Sequence, residues 1–136
     1  MEKVEKLPIR SFRDLDVYQR SYSAMLQVAK EVLPKLPPSE KYRLVDQLSR
    51  STQAIPRLIA EGYAKRHQRA GFQKYIDDAM AETNESTVSL EQCRDLYGSN
   101  FPTTICKELI ITYDILGRQL YKLAVAWRTF GKRSSN

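Results

Sequence analysis

The chain has 136 residues, 42% of them hydrophobic and 28% charged, and a formal net charge of +6. That is one domain's worth of chain, residues 1–136, with enough apolar material for a single core and too few Gly and Pro for a disordered or fibrous chain. A mean hydropathy of −0.51 and the lack of any run of about 18 apolar residues exclude a membrane-spanning helix. The opening MEKVEKLPIR lacks the apolar stretch of a secretory signal, and two cysteines are too few for a disulfide framework, so a cytoplasmic location is expected.

Four segments carry helical periodicity. The first is expected over 12–33, where Leu15, Tyr18, Tyr22, Met25, Leu26, Ala29 and Leu33 recur at steps of three and four. Ser11 and Asp14 read as a capping box at its start, and Pro34 with Pro37 and Pro38 as its stop. The second is expected over 39–65, with Ser39 as N-cap and an apolar stripe of Leu44, Val45, Leu48, Ile55, Leu58, Ile59 and Gly62. Pro56 lies inside it and removes the bond to the Thr52 carbonyl, which predicts a kink.

A polar, basic loop at 66–71 follows. The third helix is expected over 72–97, its buried face running from Phe72 through Ala79, Thr83 and Ser86 to Tyr97, with Gly98 as a C′ glycine. The fourth is expected over 103–130. Ile105, Leu109, Tyr113, Leu116, Leu120, Leu123, Trp127 and Phe130 form its seam, and Gly131 ends it. Four amphipathic helices with short connections predict an all-α fold, an antiparallel up-down-up-down four-helix bundle.

The charge is unevenly spread. Residues 39–74 carry +5 and residues 75–98 carry −5, so an acidic third helix sits in an otherwise basic chain. Arg43, Arg50 and Arg57 are seven apart, which places them on one stripe of the second helix, opposite its apolar face. With Lys65, Arg66 and Arg69 in the following loop they make a basic ridge. It has three readings: a surface that contacts nucleic-acid phosphates, a solvated face with pairs such as Arg57–Glu61, or a face that meets the acidic third helix of another subunit. Arg128, Lys132 and Arg133 form a second basic cluster.

Catalytic chemistry is sparse. A di-iron bundle needs two Glu-x-x-His motifs, and this chain has one His, His67, and no such motif. Glu82 and Glu85 bring two carboxylates together on the third helix, an ordinary surface spacing. Cys93 and Cys106 flank the Gly98 turn without a metal-binding spacing and read as buried thiols. Tyr18, Tyr22, Tyr42, Tyr63 and Trp127 are of the kind that stacks bases, but at helical spacing beside leucines they read first as core or interface. No enzyme, metal or cofactor is expected.

Three stretches carry a resemblance: Ser11–Gln19 (SFRDLDVYQ), Leu44–Pro56 (LVDQLSRSTQAIP) leading into Ile59–Gly62 (IAEG), and Phe72–Ala79 (FQKYIDDA). In order and spacing they resemble the four-helix-bundle proteins encoded within intervening sequences of 23S ribosomal RNA genes, relatives of the accessory variability determinant of diversity-generating retroelements. Gln47, Arg50, Glu61 and Glu85 match the family's polar positions. Leu58 stands where the family usually has Asn, and Ala81-Glu82 where it usually has Gly-Ser. The resemblance implies a non-catalytic bundle that assembles as a ring, a homopentamer. The retroelement relatives imply nucleic acid and a reverse transcriptase as partners. Together with the charge this predicts a bundle that binds RNA or DNA loosely through Arg43, Arg50, Arg57, Lys65, Arg66 and Arg69. The alternatives are an interaction scaffold, whose charged faces serve assembly, and a small-ligand pocket at a subunit boundary.

Overall fold

A computed structural model describes residues 8–134, with side chains described except at Asn100 and at residues 129–134. The expectations for residues 1–7 and for the side chains of Phe130, Lys132 and Arg133 lie outside the described residues. Four helices make the fold: α1 (Asp16–Gln27), α2 (Leu44–Ala64), α3 (Arg69–Tyr97) and α4 (Thr103–Ser134). Each packs on its neighbour in sequence, and α1 closes the bundle against α4. The directions alternate. Ser86 Oγ donates to Ser51 Oγ at 2.8 Å between α3 and α2, Cys106 Sγ donates to the Leu90 carbonyl between α4 and α3, and Arg20 reaches Gln119 between α1 and α4. Among the described residues, no helix is long and apolar enough to cross a membrane.

The start of the first segment differs from a continuous helix. Ser11 and Asp14 do form a reciprocal capping box, Ser11 Oγ accepting from the Arg13 amide and Asp14 from the Ser11 amide, but on a 3-10 turn, Phe12–Asp14. Leu15 then adopts an extended backbone before α1 begins. At the other end the chain widens into one π turn, Val28–Val32, with the Leu33 amide donating to the Val28 carbonyl, before a 3-10 turn at Leu33–Lys35. Pro34 has no amide to donate and its ring crowds the preceding turn, so the shift in register accommodates it.

The face of α1 is also not the expected one. The buried side chains are Val17, Ser21, Ala24, Val28 and Val32. Leu15, Tyr18 and Leu33 pack only partly against the core, and Tyr22, Leu26 and Ala29 are exposed. Small residues let α1 approach its neighbours closely, and the bulkier stripe is left outside.

On α2 most of the expected stripe is buried, Leu44, Leu48, Ile55, Ile59 and Gly62 with Ser51 and Thr52 between them, while Val45 and Leu58 are half-buried; the helix continues through buried Pro56. It starts later than expected, however. Ser39 lies within a 3-10 turn, Pro38–Glu40, and the residue before α2 is Arg43, with no side-chain cap. Glu40 is drawn into the bundle end, where it accepts a hydrogen bond from the Tyr97 hydroxyl at 2.9 Å. That bond holds the Tyr97 phenol above its ordinary pKa and pins the Pro-rich connection onto α3.

α3 starts at Arg69 rather than at Phe72, so Gly71 is helical. Gly98 has an ordinary helical backbone (φ −51°) and no described glycine has a positive φ, so it is not a left-handed cap. α4 continues past Gly131 to Ser134. Its buried seam is Cys106, Leu109, Tyr113, Leu116, Leu120 and Ala124, with Trp127 stacked on Phe72 at 4.6 Å.

Candidate functional site: two grooves and a basic end

The sequence-derived ridge divides in two. Arg43 lies just before α2 (φ −122°, ψ −101°), outside the helical register that would align it with Arg50 and Arg57. Its Nε lies 3.6 Å from the Glu40 carboxylate, and Arg50 lies 3.6 Å from Asp46, four residues earlier on the same helix. Both cations thus have a carboxylate partner, buried in the case of Glu40 and exposed in that of Asp46, where such a pair stabilises by only a few tenths of a kcal/mol.

Beyond Arg50 the pattern changes. Arg57, Lys65, Arg66 and Arg69 are exposed, and among the described residues none has a carboxylate within 4 Å. The expected Arg57–Glu61 pair does not form. Arg69 opens α3 instead of lying in a loop. Aromatic rings support two of these cations: the Arg66 guanidinium sits 4.1 Å from the Tyr63 ring centre and Lys65 Nζ 5.5 Å from that of Tyr75. Arg66 also donates to the Tyr63 carbonyl. Trp127 Nε1 donates to the Arg66 carbonyl at 3.0 Å, which brings the end of α4, with exposed Arg128, to the α2–α3 turn. Gly62 permits the close approach of α2 and α3 at this end, since a Cβ there would lie 3.1 Å from Tyr75 Cβ.

Between α2 and α3 runs a shallow groove in two adjoining parts of about 760 and 510 Å³, which share Arg50, Ala54, Ala81 and Glu82. Arg50 and Arg57 line its α2 wall, and Asp78, Glu82 and Glu85 its α3 wall. The acidic face of α3 thus lies beside the arginines of its own chain. Burial, reinforced by a hydrogen bond and charge repulsion from Glu85 and by Asp78, holds the Glu82 carboxyl above its ordinary pKa, while Arg50 opposes the rise. Among the described residues no three His, Cys, Asp or Glu side chains converge as a metal site would require. Cys93 and Cys106 are free and buried, and burial, with Cys106 and Glu40 acting in the same sense, pushes the Cys93 thiol up to about 12.

The chain matches the family model of the 23S rRNA-intervening sequence protein over residues 13–122. It belongs to that family. No curated protein and no solved structure gives a significant match.

For this intervening-sequence protein, the four polar residues that the sequence resemblance singles out line one feature. Gln47, Arg50 and Glu85 line the larger part of the α2–α3 groove, and Glu61, with Arg50 again, lines the smaller. Gln47 and Glu85 stand far apart in sequence and on different helices, so only the packing of α2 on α3 brings them together. Glu82, at a position where the chain departs from the family pattern, adds a further carboxyl to this groove. A second groove is not legible in the sequence. It lies between α1 and α2 and is lined by the aromatic stripe of α1 that periodicity assigns to the core.

Proposed function

We propose that this intervening-sequence protein is a non-catalytic bundle that binds nucleic acid loosely through phosphate contacts. The contact surface is the bundle end formed by the last turns of α2, the start of α3 and the end of α4, with Arg57, Lys65, Arg66, Arg69 and Arg128 as its cations. The observation that carries this reading is that none of Arg57, Lys65, Arg66 and Arg69 has a carboxylate within 4 Å among the described residues, although Arg57 shares its groove with Glu61, Asp78 and Glu82. Such cations can exchange mobile counterions for phosphates, which is the main source of sequence-independent affinity. Arg43 and Arg50, which the sequence groups with them, have partners and contribute less.

Anisotropy of a labelled structured RNA across a salt series tests this. Affinity that falls steeply with salt is expected, with a log–log slope of roughly −0.9 per phosphate engaged on a duplex. No binding at low salt overturns the reading.

A second reading is an assembly scaffold, in which the bundle forms a homo-oligomer, a pentameric ring, or docks another protein such as a reverse transcriptase. Ile111, Ile115, Tyr121 and Val125 favour it, since all four are large apolar side chains exposed on α4. Light scattering at several protein concentrations decides it, a monomer mass throughout being the adverse result.

A further inference from the structure

The bulky stripe of α1 is hydrophobic enough to belong in a core, yet it stays outside and faces α2. It lines a groove of about 420 Å³, within the range of small-ligand sites and walled mostly by apolar surface. Tyr18, Tyr22 and Met25 form the α1 wall, while Gln53, Pro56 and Arg57 line the groove from α2. Phe12 closes one end, its ring edge-on to Tyr18 with centroids 4.9 Å apart, and the Arg13 guanidinium lies 4.4 Å from the Phe12 ring centre. The Tyr18 and Tyr22 rings lie 5.8 Å apart at 32°, a tilted pair, with Tyr22 43% exposed.

Three features define the occupant. The α1 wall and its Phe12 end are aromatic, and an exposed ring such as Tyr22 offers a face on which a base stacks. No carboxylate lines this groove among the described residues, in contrast to the neighbouring one between α2 and α3, so an anionic ligand meets no repulsion. Arg57, which belongs to the proposed phosphate surface, also lines this groove together with Tyr18 and Tyr22, so a cation for a backbone phosphate and rings for a base share one site. Gln53, whose Nε2 donates to Ser49 Oγ at 2.9 Å, keeps an amide oxygen of the type that accepts from base edges.

We infer that the α1–α2 groove takes an unpaired nucleobase of a single-stranded nucleic acid, stacked on Tyr22, with the adjoining phosphate held by Arg57. This rests on the phosphate-binding reading and deepens it, turning a charge-only surface into one that distinguishes flexible strands from duplexes.

The test compares a labelled oligothymidylate with an abasic oligodeoxynucleotide of the same length, which keeps the phosphates and lacks the bases. The expected result is tighter binding of the oligothymidylate. Tyr22→Ala is expected to weaken it roughly 5- to 100-fold, the range for removal of one base–aromatic stack, and to leave abasic binding unchanged. Tyr22→Phe retains the ring and is expected to retain the preference. Equal affinity of the native chain for both oligomers overturns the base groove while the phosphate reading stands. Binding of neither at low salt overturns both. Unchanged oligothymidylate binding in Tyr22→Ala, with a changed oligomer mass, overturns the inference in favour of a second copy of the chain in the groove. Photocrosslinking with a 4-thiothymidine oligomer gives an independent readout: adducts are expected on the peptides bearing Tyr18 and Tyr22, and adducts confined to α4 overturn it.

Discussion

The two ends of α2, with the residues just beyond them, carry the same kind of charge in opposite surroundings. Towards its start, Arg43 and Arg50 lie beside Glu40 and Asp46, and Arg50 also faces the Glu82–Glu85 pair across a groove. Towards its end, Arg57, Lys65, Arg66 and Arg69 have no carboxylate within 4 Å among the described residues, Arg57 shares its groove with Glu61, Asp78 and Glu82, and Lys65 and Arg66 rest on tyrosine rings. A count of arginines treats the two ends alike. A cation's use depends on what already neutralises it, so the end of α2 is available to phosphates and its start is largely committed to its own chain.

The largest effect that breaks or sharpens this contrast is on nucleic-acid affinity. Arg66→Glu with Arg69→Glu is expected to weaken RNA binding roughly 100-fold at low salt and to flatten the salt slope by about one unit for each phosphate no longer engaged, whereas Arg43→Glu changes affinity less than about twofold. Equal weakening in anisotropy titrations of the two variants would erase the distinction.

Next comes the close helix packing that supports the basic end. Gly62→Val forces a side chain against Tyr75 and is expected to destabilise the fold by about 1–3 kcal/mol in urea unfolding. A change of under a few tenths would mean that α2 and α3 separate there without penalty.

Arg50→Glu gives a smaller effect, about 0.5 kcal/mol of lost stability. It removes the pair with Asp46 and adds a fifth carboxylate to a groove that already holds Glu61, Asp78, Glu82 and Glu85. Thermal melts at low and high salt check it, because screening should shrink the difference.

The smallest effect concerns pH. Glu82's carboxyl titrates above its ordinary value in the fold, so the folded chain holds that proton more tightly than the unfolded chain does. Stability from this group is therefore fully present below the unfolded carboxyl pKa of about 4.5 and is lost as pH rises through the raised folded value. Glu82→Gln removes this loss, so its melting temperature is expected to exceed the parent's near neutral pH and to converge with it towards acid. A lower melting temperature at neutral pH would show Glu82 to be a stabilising partner of Arg50 instead.

Much of the bundle is legible in sequence because periodicity is a local property. The seams of α2 and α4 follow from leucines and isoleucines at steps of three and four, and that of α3 from Phe72, Ile76, Leu90 and Cys93 with small residues between them. On α1 the same logic selects the wrong stripe. Both Val17–Val32 and Tyr18–Ala29 are apolar at helical spacing, and only the space left by α2 and α4 decides that the smaller residues go inside. Helix ends are also misread where proline acts through its neighbours, as at Pro34, or where a glycine such as Gly71, Gly98 or Gly131 is helical. For the candidate site, residue identity is readable and pairing is not. Arg57 has Glu61 four residues on, a spacing suited to an ion pair, and yet the two do not meet.

The sequence by itself determined a four-helix chain, a basic stretch over residues 39–74 followed by an acidic one over 75–98, and membership in the intervening-sequence family, since each of these rests on residue type and spacing along one strand of chain. Tertiary structure alone decided which stripe of α1 is buried, which arginines have carboxylate partners, and that Gln47, Arg50, Glu61 and Glu85 share a groove. Those outcomes depend on distances between side chains that local spacing does not fix. Packing sets these distances, because close-packed interiors leave room for one arrangement of large and small residues and exclude the rest.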